Sequence, residues 1–180
     1  PKGVAIEHRN AVNFLTWSQD AFTLEELSQT LFATSLNFDL SIYECFAPLT
    51  RGGTVHLVDN VLALVRDPHE VSLINTVPSA ITSLLDSGAS LASIQTINLA
   101  GEPLKLALMK RIFAETDVER LCNLYGPSET TTYSTWIQMQ KGDHLTESIG
   151  KPIANTRIYL LDAQRQLMPP GAVGELYIGG

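Results

Sequence analysis

Between residues 31 and 125 the sequence alternates short apolar runs with longer segments of helical period, and this alternation constrains the fold more than any single residue. Leu31 to Leu36 reads as a strand. Ser41 to Leu49 reads as a helix with Asp39 near its N-cap, its apolar set Ile42, Cys45, Phe46 and Leu49 falling at i, i+3, i+4 and i+7. Gly52-Gly53 breaks the chain before a short strand, Thr54 to Val58. Val71 to Thr76 is the next strand, and Pro78 suits the first turn of a helix ending at Ser87-Gly88. A strand at Gln95 to Leu99, a helix opened by Glu102-Pro103 and running to Glu115, and a strand at Val118 to Tyr125 complete the series; upstream, Asn10 to Phe22 is helical. Parallel strands need long crossover connections, so the pattern predicts an α/β fold class: parallel-sheet layers flanked by helices. After Gly126-Pro127 the pattern changes. Thr130 to Met139, Thr156 to Leu161 and Gly174 to Ile178 are strand-like with no long helix between them, and Met168-Pro169-Pro170-Gly171 is a turn. The expected organisation is an α/β part over residues 1–143 and a β-rich, barrel-like part over 144–180.

Composition excludes several function classes. Hydrophobic residues make up 44% of the 180 and charged residues 17%, against about 25% charged in globular proteins, so disorder is excluded for most of the chain. The net charge is −7, with the acid excess in the first half and no basic face, which argues against a nucleic-acid partner. No run approaches the roughly 18 apolar residues of a membrane span, and no basic-then-apolar leader is present. Two cysteines in apolar surroundings, Cys45 and Cys122, fit a reducing cytosol better than a disulfide framework. His8, His56, His69 and His144 have no metal spacing, and no Ser/His/Asp or Cys/His order stands out. The chain opens Pro1-Lys2-Gly3 without an initiator methionine and stops at Gly179-Gly180, and is read as an excerpt of a longer protein.

Three strand-to-turn junctions could carry chemistry. Asn123-Leu124-Tyr125-Gly126-Pro127-Ser128-Glu129 ends a strand in a Gly-Pro turn followed by hydroxyls and a carboxylate. Ligands of open α/β sheets bind beyond the carboxyl ends of strands, where an aromatic can stack on a base, a hydroxyl can bond phosphate and a carboxylate can hold Mg²⁺. A well-made turn with a buried tyrosine explains the same residues. Asn37-Phe38-Asp39-Leu40-Ser41 enters a helix; Asp39 is most simply its N-cap, but it shares an i, i+4 face with Tyr43, where an acid beside an aromatic could pair with a ligand ammonium. Asn98-Leu99-Ala100-Gly101-Glu102-Pro103 runs strand to turn to helix. Asn98 and Ala100 share a strand face and Gly101 permits close backbone approach, while Glu102 is equally a helix cap.

In this order, Pro-Lys-Gly, Asn-Phe-Asp-Leu-Ser, Asn-Leu-Ala-Gly-Glu-Pro-Leu, Asn-Leu-Tyr-Gly-Pro-Ser-Glu and Gly-Glu-Leu-Tyr-Ile-Gly-Gly resemble the motifs of nonribosomal peptide synthetase adenylation domains, within the acyl-adenylate-forming superfamily. The resemblance covers essentially the whole chain and implies part of that fold's large N-terminal subdomain. It implies amino-acid activation by MgATP to an aminoacyl-adenylate, then transfer to the phosphopantetheine thiol of a separate carrier domain, beside condensation domains of the same synthetase. It assigns Asp39 to the substrate ammonium, and Lys2, Gly3, Gly101, Glu102, Pro103, Asn123, Tyr125, Gly126 and Ser128 to the ATP site. Tyr125 would pack on adenine, Ser128 would contact phosphate, and Glu129 would hold Mg²⁺. The family's full phosphate loop, ribose-binding aspartate and C-terminal lysine have no counterpart in these residues, so the isolated chain is expected to be inactive.

Carried over position by position, the family's side-chain pocket would be Asp39, Leu40, Tyr43, Asn75, Asn98, Ala100, Leu124, Thr132 and Tyr133. Thr132 and Tyr133 would face opposite ways in a regular strand, so one of them needs a bulge or a strand end. Two tyrosines and a leucine imply a small substrate. The set resembles those of alanine- or glycine-activating domains, notably cyanobacterial synthetases of the microcystin type, with alanine placed first. Tyr43→Ala is expected to widen tolerance to larger side chains. Two other readings remain: an acyl-CoA or aryl-acid ligase of the same superfamily, which would have no use for Asp39, and a noncatalytic adenylation-like module.

Overall fold

The apolar runs lie side by side in one sheet. The computed structural model describes residues 3–180. Its elements, in chain order, are α1 (His8–Ala21), β1 (Gln29–Phe32), α2 (Leu40–Leu49), β2 (Thr54–Leu57), a 3₁₀ turn (Val61–Val65), β3 (Leu73–Thr76), α3 (Pro78–Asp86), β4 (Thr96–Leu99), α4 (Leu106–Glu115), β5 (Arg120–Tyr125), a second 3₁₀ turn (Ser128–Thr130), β6 (Thr135–Gln140), β7 (Lys151–Pro152), β8 (Arg157–Leu161) and β9 (Glu175–Gly179). The seven-stranded sheet has the order β2-β1-β3-β4-β5-β6-β7, and β8 and β9 form a separate antiparallel pair. The first five strands are parallel, whereas β6 pairs antiparallel with β5, and β7 antiparallel with β6. Strand order reverses at β1, so the crevice beyond the ends of β1 and β3 is the topological switch point, the place where open α/β sheets bind ligands.

Alternation along the strands divides the core into two layers. Ile74, Ile97, Leu99 and Leu121 face α3 and α4 and pack with Ile81, Leu84, Met109 and Ile112. Leu73, Cys122 and Leu124 face α1 and α2 and pack with Phe14, Trp17, Tyr43 and Ala47. Asn75 and Asn98 are register partners across β3 and β4, one residue out of phase with the α3/α4 set, so both amides project toward α2. At the opposite end of the sheet, Arg120 Nη1 donates to both oxygens of Glu26 at 2.9 Å and the guanidinium lies over the Phe22 and Trp136 rings.

The structure revises several local expectations. The Ile42, Phe46 and Leu49 face of α2 points outward, 39, 45 and 52% exposed. The inner face is Ser41, Tyr43, Glu44, Ala47 and Pro48. This helix is apolar on both sides, so periodicity could not choose between them; the aromatic contacts of Tyr43 with Phe14 and Phe22 set the orientation. The fourth helix begins at Leu106, not at Glu102. The strand expected from Thr130 starts at Thr135, because Thr131 and Thr132 are left-handed, with φ of 67° and 66°. No helix among the described residues is long and apolar enough to cross a membrane.

Candidate functional site

Two cavities open at the carboxyl end of the parallel strands. The first, of about 360 Å³, is bounded by Ala33 and Thr34 after β1, Asn75, Thr76 and Val77 at the end of β3, Ala100 and Gly101 after β4, Gly126 after β5, the start of α2 (Asp39 and Leu40), and Thr132 and Tyr133. Asp39, Leu40, Asn75, Ala100, Thr132 and Tyr133 of the expected pocket thus share one wall system. Tyr43, Asn98 and Leu124 do not line it; they are buried one layer behind. The left-handed Thr131–Thr132 backbone solves the facing problem at this corner, since Thr132 and Tyr133 both reach the cavity without lying in a strand.

Polar groups concentrate at the inner end of this cavity. Asn98 Nδ2 donates to Asn75 Oδ1 at 2.9 Å and to the Tyr43 hydroxyl at 3.4 Å. Asn75 Nδ2, Asn98 Oδ1 and the Tyr133 hydroxyl are buried without a hydrogen-bond partner among the described residues. Burial pushes the Tyr43 and Tyr133 hydroxyls well above the ordinary tyrosine range, so both stay neutral. Their rings meet edge to face, 6.0 Å apart, and Tyr133 also packs edge-on to Phe14. At the outer end, Asp39 is half-buried and already helical (φ −60°, ψ −30°), and its side chain makes no cap hydrogen bond. A capping role does not account for this carboxylate.

The second cavity, of about 450 Å³, lies over the ends of β4 and β5 and is lined by Gly101 to Lys105, Asn123 to Pro127, Glu147 and Ile149. Gly101 and Gly126 wall both cavities, so the two are contiguous. Glycine is required at 126: a Cβ there would sit 2.6 Å from the Thr132 carbonyl oxygen and 2.7 Å from the Ser134 nitrogen, both backbone atoms. Tyr125 is 41% exposed, and its ring offers a stacking surface to this space. Asn123 is buried, and its Nδ2 donates to the Ser148 carbonyl at 2.8 Å, tethering the loop that closes the cavity.

Glu102 does not cap its own helix. Its carboxylate accepts from the Ser79 N–H at 2.9 Å and the Ser79 hydroxyl at 2.7 Å, and so caps the next helix across, α3. The cap of α4 is Glu147, which accepts from the Leu106 N–H at 2.8 Å and from Lys105 Nζ at 3.2 Å; the Leu106 N–H holds its carboxyl below the usual range. Sequence reading missed Glu147 because it acts from a polar loop 41 residues away. It also missed Ala33, Thr34 and Val77, whose only signal is their place just past strand ends.

Ser128 and Gly3 line neither cavity, and Lys2 lies outside the described residues. Glu129 borders a third cavity, of about 540 Å³, together with Thr130, Thr131 and residues of α1 and β9. Among the described residues no group of three or more acidic, histidine or cysteine side chains could hold a metal. The exposed Glu129 carboxylate fits a Mg²⁺ that takes one protein oxygen and completes its shell from nucleotide phosphates and water.

Comparison with known proteins places this geometry. A family model described as AMP-binding enzyme matches residues 1–180. The chain is 50% identical over its whole length to a linear gramicidin synthase of Brevibacillus parabrevis, spanning 4% of that protein. It is 47% identical, again over its whole length, to the AMB antimetabolite synthetase AmbB of Pseudomonas aeruginosa, spanning 15% of it. It superposes with a TM-score of 0.85 and 35% identity on a four-domain nonribosomal peptide synthetase in its holo form bound to AMP and glycine, covering 100% of this chain and 14% of that one.

Proposed function

The chain belongs to the AMP-binding enzymes, and from that premise we propose that it is part of an adenylation domain that activates a small amino acid with MgATP in nonribosomal peptide synthesis. Alanine is the favoured substrate and glycine the second. In this reading a carboxylate oxygen of the amino acid attacks the α-phosphorus of ATP, pyrophosphate leaves, and the aminoacyl-adenylate passes to the phosphopantetheine thiol of a carrier domain with release of AMP.

The observation that carries the reading is the junction of two cavities at Gly101 and Gly126, with the uncapped Asp39 carboxylate on one and the Tyr125 ring on the other. An acyl-adenylate needs such an arrangement: its acyl part and its nucleotide occupy separate spaces that meet at one mixed anhydride. Asp39 would hold the ammonium, and Leu40, Asn75, Ala100, Thr132 and Tyr133 would enclose the side chain, with Tyr43, Asn98 and Leu124 behind them. Tyr125 would stack on adenine. Gly101, Glu102, Pro103, Asn123 and Gly126 would shape the nucleotide site, Glu102 and Asn123 through the elements they tether. Lys2, Gly3 and Ser128 would meet phosphate, and Mg²⁺, held by Glu129, would neutralise phosphate charge. No protein nucleophile is called for; the gain comes from holding both reactants in register and stabilising charge. Tyr133 and Leu40 on the cavity wall, with Tyr43 packed behind Tyr133, favour a short side chain. The reading takes the enzyme to be cytosolic, with support from Cys45 and Cys122, both free. Carrier and condensation domains as neighbours are supported by the much longer synthetases to which the chain is similar.

Amino-acid-dependent ATP–pyrophosphate exchange by the chain within its complete parent enzyme tests this. A panel of alanine, glycine, serine, cysteine, valine and phenylalanine should give the highest rate with alanine or glycine. Exchange with phenylalanine alone would refute the pocket assignment, and exchange with none would refute amino-acid activation.

A further inference from the structure

Glu44 is the one acid on the inner face of α2, and it is fully buried. It is not among the residues assigned above to substrate, nucleotide or metal. Its Oε2 accepts two consecutive backbone N–H groups, Ala33 at 3.0 Å and Thr34 at 2.8 Å. These residues follow β1 directly and form one wall of the 360 Å³ cavity. The opposite carboxylate oxygen is buried and completes no hydrogen bond among the described residues, and the same holds for Asn75 Nδ2 on the adjoining floor. The Asn75 amide nevertheless lies close enough to favour the charged carboxylate. Burial is the larger influence and pushes the acid up to about 7, against the N–H groups of Thr34 and Ala33.

Two N–H groups held by one oxygen fix the direction in which the chain leaves β1. Without that oxygen both would be part-buried donors with no acceptor from the sheet, since the strand ladder ends at Phe32. Glu44 therefore ties two parts of the cavity to one side chain: the 33–34 wall and the helix that presents Asp39 five residues upstream. We propose that Glu44 is a positioning residue for the amino-acid cavity, setting the spacing between its β1 wall and the helix that carries Asp39. The proposal rests on the amino-acid-activating reading.

Two conservative variants of the complete parent enzyme separate position from charge. Glu44→Gln keeps an acceptor oxygen at the same reach, whereas Glu44→Asp keeps the charge but withdraws it by about 1.5 Å. With alanine in the exchange assay, Glu44→Asp should raise the amino-acid KM roughly tenfold, as the 33–34 wall loses its acceptor and shifts against Asp39. Its KM for ATP should stay within about twofold, because the second cavity does not touch the 33–34 wall. Glu44→Gln should return the amino-acid KM to near its parental value. An unchanged amino-acid KM in Glu44→Asp, with lower stability alone, would overturn the proposal. So would equal damage in both variants, because an acceptor oxygen at the parental reach would then not suffice to hold the wall. Amide hydrogen exchange at residues 33 and 34 reads the clamp without turnover. Protection in the parent and in Glu44→Gln supports it, and a folded Gln variant with those amides released overturns it even if Glu44→Asp does not fold. Failure of the parent to exchange with any amino acid, with those amides protected, would sink the functional reading and leave the clamp standing.

Discussion

Truncating Tyr43 should cost stability before it alters selectivity. The residue is fully buried, its ring lies 5.7 Å from Phe14 and 6.0 Å from both Phe22 and Tyr133, and its hydroxyl accepts from Asn98. Replacing such an aromatic by alanine removes its burial and leaves a void that a sheet-backed site can only partly close, a loss of about 3–5 kcal/mol. Tyr43→Phe removes only the long hydrogen bond and should cost no more than about 1 kcal/mol, because Asn98 Nδ2 keeps its bond to Asn75. Urea denaturation of the parent domain, followed by tryptophan fluorescence, reports the change directly: Trp17 and Trp136 meet edge to face at 5.3 Å, and both contact Phe22. Space opened at Tyr43 reaches the cavity only past Tyr133, so acceptance of valine should rise in Tyr43→Ala only to the extent that Tyr133 swings inward. A loss below about 1.5 kcal/mol together with broad acceptance of larger substrates would refute this reasoning, since it would put Tyr43 on the cavity wall itself.

Other outcomes follow from single features. Gly126→Ala forces a Cβ into the Thr132–Ser134 backbone and should destabilise by about 1–3 kcal/mol while weakening alanine and ATP together, read from melting and from both KM values. Arg120→Met strands the buried Glu26 carboxylate and should cost about 3–5 kcal/mol in urea denaturation, most of it recovered in the Glu26→Gln/Arg120→Met double variant. Glu44 titrates at 4.5 in the unfolded chain and at about 7 in the fold, so the unfolded state sheds its proton first as pH rises. Its contribution is full below pH 4.5 and is lost as pH rises through about 7, by roughly 3 kcal/mol. The Glu44→Gln variant should lack that slope in denaturation curves collected from pH 4 to 8.

Much of this architecture was legible because strands and helices announce themselves locally. Pro78 marked the start of α3, as found. What was not legible depends on contacts distant in sequence. Glu102 looked like the cap of the helix it precedes, yet serves the neighbouring one, and the cap of α4 comes from residue 147. The inner face of α2 could not be chosen while both faces were apolar, and the left-handed pair Thr131–Thr132 has no glycine to signal it. Glu44 offered one faint sign, an acid set in an apolar helix with no basic residue three or four places away. The candidate site was legible where a motif names its residues, and illegible where backbone donors, as at residues 33 and 34, do the holding.

The way the first cavity is assembled bears on how such domains can be recombined. Its walls are drawn from residues 33 to 133, separated along the chain and brought together only by the order of β1, β3, β4 and β5. Glu44 and Glu102 cross-link elements inside that interval, whereas the β8–β9 pair contributes nothing to it. A transplant that moves only the helix bearing Asp39, or only the Tyr125 turn, would pair walls evolved against different partners. Moving everything from β1 through Tyr133 as one block would carry the cavity intact and confine the new seams to its two ends.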